Sequence, residues 1–154
     1  MSECHWTVTG YGINEDNICP SASSQVSFIK KYLPDQYKEM QDYIDDCTDC
    51  DMSNTSDYLD SCERWIEEYQ NEEGYTGFGV LFAMAIQNNE DGFNPEYFFD
   101  NGCGAVMYED RLPWEMSERV KNMKAEDMAA IFQKYLDTLG ISAPIGRQSV
   151  EYYG

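Results

Sequence analysis

The chain has 154 residues, of which 42% are apolar and 14% aromatic, and this length fits one folded domain better than two. Ten basic and 29 acidic residues give a net charge of −19, far beyond the roughly 2 to 8 charges that keep a small domain soluble. Such an excess argues against direct nucleic-acid binding, because each phosphate contact needs a cation. It favours a partner with a basic surface.

The aromatic content separates this chain from acidic disordered segments, which lack aromatic residues. Its start, from Met1 to Trp6, has neither the basic region nor the apolar region of a signal peptide. No apolar run reaches the roughly 20 residues of a membrane span. We therefore expect a cytoplasmic protein without a membrane partner, whose six cysteines are mostly free thiols.

The first half of the chain predicts one strand and three helices. Residues 6–13 alternate and are rich in β-branched and aromatic types, which is typical of a strand, and Gly10 and Gly12 indicate a bulge or the close approach of a neighbouring backbone. A first helix is capped by Ser24 and stops at Pro34. Asp35 caps a second helix, and a third extends over residues 56–71.

The second half opens with an apolar run from Gly77 to Ile86. We interpret it as a buried central strand, paired antiparallel with residues 105–108, so that Phe82 and Met84 both lie in the core. A loop over 110–116, a helix over 125–139 and an edge strand over 148–153 follow. The order predicts an α+β fold for the single domain 1–154: a small, mainly antiparallel sheet with about four helices on one face.

Acidic residues are concentrated on the second and third helices. Residues 35–73 hold 14 carboxylates but only two basic residues, Lys38 and Arg64. Residues three and four apart are neighbours on a helix, so these carboxylates form rows. Two rows side by side would resemble the spacing of phosphates along a nucleic-acid strand. The candidate partner-binding residues are Asp35, Glu39, Asp42, Asp45, Asp46, Asp49, Asp60, Glu63, Glu67 and Glu68.

The simplest explanation of these rows is a solvated helix face, since acidity can be incidental. Exposed helices usually mix both signs of charge, however, and like charges at this spacing each cost a few tenths of a kcal/mol. The near absence of lysine therefore favours a docking surface for a basic partner.

A metal-binding regulatory module around residues 47–62 is the alternative. Cys47, Cys50 and Cys62 could supply three zinc ligands, although a fourth is missing and the apolar face of the helix predicts that Cys62 packs in the core. The stretch from Asp49 to Asp60 has a partial calcium-loop spacing, but Asn54 replaces the usual glycine and Asp60 the usual glutamate.

Catalysis has little support in the sequence. The only histidine, His5, has no nucleophile motif near it, and Cys103 between Gly102 and Gly104 has no base and is expected to be buried at a strand edge. We expect no enzyme activity and no cofactor.

Four short motifs are distributed over most of the chain: Tyr11-Gly-Ile, Met107-Tyr-Glu, Leu112-Pro-Trp-Glu-Met116 and Leu139-Gly-Ile141. Together they resemble small proteins carried by phages and prophages of gut Firmicutes. In composition the chain is also similar to anti-CRISPR proteins, several of which imitate nucleic acid. These resemblances imply an inhibitor that occupies the nucleic-acid channel of a host defence nuclease. A phage accessory protein with incidental acidity is the remaining alternative.

Overall fold

The computed structural model describes residues 5–46 and 55–153. In this part of the chain one antiparallel sheet has the strand order β2–β3–β1–β4. The strands are β1 (His5–Asn14), β2 (Glu96–Asp100), β3 (Cys103–Glu109) and β4 (Gly146–Tyr153). The central strand β1 places Tyr11 opposite Tyr108 of β3 and Val8 opposite Val150 of β4.

The described residues form six α-helices besides the sheet: α1 (Ala22–Tyr32), α2 (Pro34–Asp45), α3 (Thr55–Glu68), α4 (Phe78–Asn89), α5 (Glu118–Lys121) and α6 (Ala125–Leu139). Short 3-10 helices cover Glu15–Asn17 and Pro113–Glu115. The predicted α+β class and single domain are confirmed. The two helices beyond the predicted four are α4 and the one-turn α5.

The helices pack on one face of the sheet. Ile13 and Val106 face Phe28, Phe82 and Phe132 of α1, α4 and α6 in one buried cluster. Phe28 and Phe82 stack with ring centroids 5.6 Å apart. Burying large aromatic side chains is the main favourable term in such a core.

The other face of the sheet is covered by the sheet itself. In the described part of the chain, Met107 and Val150 are buried there among strand side chains such as Val8 and Phe98, because β4 curls towards β2. At the end of this curl, the hydroxyl of Tyr152 lies 3.3 Å from that of Tyr75.

Two glycines of β1 permit strand β3 to approach closely. A Cβ atom at Gly10 would collide with the carbonyl oxygen of Tyr108, and one at Gly12 with that of Val106. The predicted close approach of a neighbouring backbone is therefore confirmed, and the register contains no bulge between β1 and β3.

The prediction of a central strand over residues 77–86 is wrong, because Phe78–Asn89 is helix α4. An apolar run without alternation fits a helix surrounded by core as well as it fits a buried strand. Here the run is rich in the good helix formers Leu, Ala and Met, and α4 is buried on nearly every side. The second neighbour of β3 is β2, which lies in the predicted connector.

Other predicted elements agree with the structure to within a few residues. Ser21, and not Ser24, caps α1: its hydroxyl accepts from the Ser24 amide at 3.3 Å. Pro34 begins α2 instead of only ending α1. Helix α6 ends at Gly140, whose φ of 70° is the left-handed conformation common at helix ends. Strand β4 lies at a sheet edge, as predicted.

No helix in the described ranges combines the length and the apolar character needed to cross a lipid bilayer.

A buried carboxylate joins α4 to α5 and α6. Glu90 is 6% exposed and accepts bonds from Arg119 at 2.9 Å, Lys134 at 3.0 Å and the Tyr135 hydroxyl at 2.8 Å. Burial raises the pKa of Glu90, but these three hydrogen bonds outweigh burial and the net pKa is lowered. Glu90 is therefore charged in the folded protein at neutral pH.

We expect Glu90→Gln to lower the free energy of unfolding by about 1–3 kcal/mol at neutral pH, since it removes the charge from three charge-assisted bonds. Because the folded pKa of Glu90 is lowered, its contribution is complete above the unfolded value of about 4.3 and is lost as pH falls through the folded value. The stability difference between wild type and variant should thus narrow at acid pH. Urea unfolding of both proteins over a pH series measures this difference in the free energy of unfolding. A difference that stays constant or widens at low pH would contradict this role.

Candidate acidic docking surface

Helix α2 presents a row of carboxylates to solvent. Asp35, Glu39, Asp42 and Asp45 are exposed, as is Asp46 just beyond the helix end. The opposite side of α2 is apolar and packs into the core through Met40 and Ile44, whose side chains are buried. The amphipathic pattern of the sequence therefore orients the acidic row away from the protein.

Helix α3 repeats this arrangement. Asp60, Glu63, Glu67 and Glu68 are exposed, while Cys62 and Ile66 are buried. Nine of the ten candidate partner-binding residues are described by the structure, and all nine thus lie on the surface. The tenth, Asp49, lies outside the described residues.

Polar and aromatic side chains join the two helices. Gln41 of α2 donates to the Tyr58 hydroxyl at 2.7 Å, and Gln36 of α2 lies near Tyr69, just beyond the end of α3. Burial raises the pKa of Tyr58 to about 12, so this phenol stays neutral. Gln36 precedes Gln41 along the chain, but its neighbour Tyr69 follows Tyr58. Helices α2 and α3 therefore run antiparallel.

The contact side of α3 lies opposite its acidic row. Tyr58 faces α2, and Glu67 is nine residues after it on α3. Nine residues are about two and a half helical turns, which places Glu67 across α3 from Tyr58, and Glu63 and Asp60 lie one and two turns before Glu67 on the same side. The body of α3 therefore separates the two rows, which form two acidic faces instead of one strip.

Few cations oppose these faces. In residues 5–46 and 55–153, Glu90 pairs with Arg119 and Lys134, Glu118 with Lys121, and Asp110 with Arg147. None of the nine described candidate carboxylates forms an ion pair with a described lysine or arginine. Their charges are therefore free to act on an approaching molecule.

The charge of the chain is segregated. Residues 110–147 contain six acidic and six basic residues, so this segment is neutral and the net charge of −19 lies on the rest of the chain. The neutral segment includes α5 and α6, whereas the acidic part includes α2 and α3. Such a distribution orients the protein in the field of a basic partner.

The structure bears on part of the metal hypothesis. Cys47, Cys50, Asp51 and Ser53 lie outside the described residues, and no cluster of potential metal ligands occurs among the described ones. Cys62 is fully buried in the core, as predicted. Helix α3 already begins at Thr55, so the second half of the proposed calcium loop is helical.

The exposure of Cys103 differs from the prediction. It was expected to be buried, but it is exposed at the start of β3, next to the turn that joins β2 to β3. Only the following residues of β3, from Gly104 on, enter the interior.

Two concave sites were not predicted from the sequence. A groove of about 750 Å³ runs between the end of the β1–β4 pair, the edge of β2, and α4. Trp6, which is half exposed, lines it and stacks on Tyr152 at 5.6 Å. A smaller cavity of about 370 Å³ lies between the sheet and α6. Both join residues far apart in sequence, so no local motif indicates them.

Comparison with models of protein families, with curated proteins and with solved structures gives no match. The resemblance to phage and prophage proteins therefore stays a prediction, and any assignment of function rests on the surface described above.

Proposed function

We propose that this protein has no catalytic activity and acts by docking the acidic faces of α2 and α3 on a basic surface of another protein. The observation that supports this most is the exposure of nine carboxylates that no described cation neutralises. Five of them belong to α2 or its end and four to α3.

Electrostatics gives a reason to keep these charges. Like charges one turn apart repel each other, and a net charge of −19 destabilises the compact state. A basic partner relieves this repulsion on binding. Its long-range attraction also speeds the encounter, which is the usual role of complementary charge at interfaces.

The partner we propose is the nucleic-acid channel of a nuclease in the cytoplasm of a bacterial host, in line with the resemblance to phage anti-defence proteins. A carboxylate recurs once per turn along α2 and its end, with neighbours about 5–6 Å apart, at Asp35, Glu39, Asp42 and Asp46. Phosphates recur every ~3.4 Å along the axis of a nucleic-acid strand and lie further apart along its backbone. A channel that binds phosphates through Lys and Arg can therefore accept such a row.

Competition with DNA tests this function. The protein is used to capture its partner from a host lysate, and the purified complex is titrated with duplex DNA. We expect DNA and this protein to exclude each other, so that the apparent affinity falls in proportion to the DNA concentration. A stable ternary complex, with affinity unaffected by DNA, would rule out occupation of the nucleic-acid channel.

A further inference from the structure

The cavity of about 370 Å³ lies on the neutral part of the molecule, where β1 and β3 meet α6. Its apolar walls include Tyr11, Met116 and Met128, and two arginines, Arg111 and Arg147, also line it. Small-molecule sites typically have this size and this combination of apolar walls with a few polar groups.

One of the two arginines is already neutralised. Arg147 binds Asp110 through both terminal nitrogens, with Nη1 2.6 Å from Oδ1, and Thr9 donates to the same carboxylate at 2.8 Å. The hydrogen bond to Arg147 lowers the pKa of Asp110 and raises that of Arg147. This pair therefore closes one side of the cavity without leaving a free charge.

Arg111 has no such partner. It forms no hydrogen bond or ion pair with another residue in the described ranges, and its Nε atom is buried without an acceptor. The guanidinium instead lies over the ring of Tyr108, with Cζ 5.6 Å from the ring centroid. A guanidinium that lines a cavity without an ion-pair partner can donate charge-assisted hydrogen bonds to an anion that enters it.

We propose that the cavity binds a small organic carboxylate with an apolar body. A guanidinium and a carboxylate match in planar geometry and charge, while the methionines and Tyr11 accommodate an apolar group. One unpaired arginine beside apolar walls suits a monoanion better than a multiply charged phosphate. The site is remote from α2 and α3 in the sequence and does not depend on the docking function.

Three probes of one shape and different charge test the proposal: benzoate, benzamide and benzylamine. Each is titrated into the ¹⁵N-labelled protein, and amide shifts are followed by NMR. We expect saturable benzoate binding, with the largest shifts around residues 108–116 and 125–128. Benzamide should bind at least about tenfold more weakly, because its neutral amide cannot form the charge-assisted hydrogen bond with Arg111. Benzylamine should not bind.

Arg111→Gln should weaken benzoate binding at least about tenfold for the same reason, while Arg64→Gln on α3 provides a matched control that leaves it unchanged. If Arg111→Gln does not fold, Met128→Trp is the second variant, because it fills the cavity and should abolish binding. Equal affinity for benzoate and benzamide, unchanged affinity in the Arg111 or Met128 variant, or no saturable binding of benzoate would each overturn the proposal.

Discussion

Phe82→Asp is expected to abolish cooperative folding, whereas Met84→Asp is expected to leave a folded protein. Phe82 is 0% exposed and touches Phe28 and Phe78 in the core, while Met84 is partly buried and lines the 750 Å³ groove. A separation of two residues along a helix corresponds to a rotation of about 200°, so the two side chains point in nearly opposite directions.

The two substitutions are therefore expected to lower the free energy of unfolding by different amounts. Truncating a buried phenylalanine alone costs about 3–5 kcal/mol, and an unpaired buried carboxylate adds to this, which together consume most of the 5–15 kcal/mol stability of a typical domain. At Met84 the carboxylate can reach solvent in the groove. The expected loss is about 1–2 kcal/mol, from lost packing and from the weak Tyr69 hydroxyl contact to the Met84 sulfur at 3.8 Å.

Urea unfolding followed by circular dichroism compares the two variants, with Phe82→Leu as a control that keeps the core apolar. Equal damage from both aspartates would be the pattern of a strand, in which residues 82 and 84 share one face. That result would contradict helix α4.

Periodicity explains which elements could be predicted from the sequence. Helices α1, α2, α3 and α6 carry one apolar face each, and β1 and β4 alternate because successive side chains of a strand point to opposite faces of the sheet. Helix α4 is apolar all round, so its sequence has no period to identify. Strand β2 is short and follows a loop that resembles a connector.

The candidate surface was predictable for the same reason. Spacing alone places Asp35, Glu39, Asp42 and Asp46 on one side of α2, and the structure finds them exposed. The relation between the rows was not predictable, because it depends on which side of α3 contacts α2. Likewise, Arg111 and Arg147 meet at one cavity only through the pairing of β1 with β3 and β4.

Reversing Asp42, Asp46, Glu63 and Glu67 to Lys is expected to reduce affinity for the basic partner by about a hundredfold or more. Each close charge pair at an interface contributes from a few tenths to several kcal/mol, and reversal replaces attraction by repulsion. The stability of the free protein should hold or rise, because the change relieves self-repulsion. Loss of binding without loss of stability is a result that a merely solvated face cannot produce.

A second variant with the same net charge separates local from overall electrostatics. Asp91, Glu115, Glu126 and Asp137 are exposed and lie outside α2 and α3. Reversing these four to Lys also changes the net charge from −19 by eight units to −11. We expect this control to bind within a few fold of wild type, with only a slower encounter.

Because the two acidic rows lie on opposite sides of α3, the pairs can also be reversed separately. A flat basic surface contacts one row. Reversal of only one pair, either Asp42 and Asp46 or Glu63 and Glu67, should then reduce the affinity for the partner. A channel that encloses the helices contacts both, and each pair should then weaken binding. The comparison of the two double variants therefore distinguishes a channel from a flat surface.

The affinity for the captured partner over a salt series, measured for the wild type, the α2–α3 reversal and the matched control, tests the docking surface most directly. Salt shortens the range of charge–charge attraction to the ~8 Å Debye length at physiological ionic strength, so we expect the affinity of the wild type and of the control to fall steeply with salt. The α2–α3 reversal should bind weakly at every salt concentration. Equal affinity of all three proteins, with a flat dependence on salt, would contradict docking through α2 and α3.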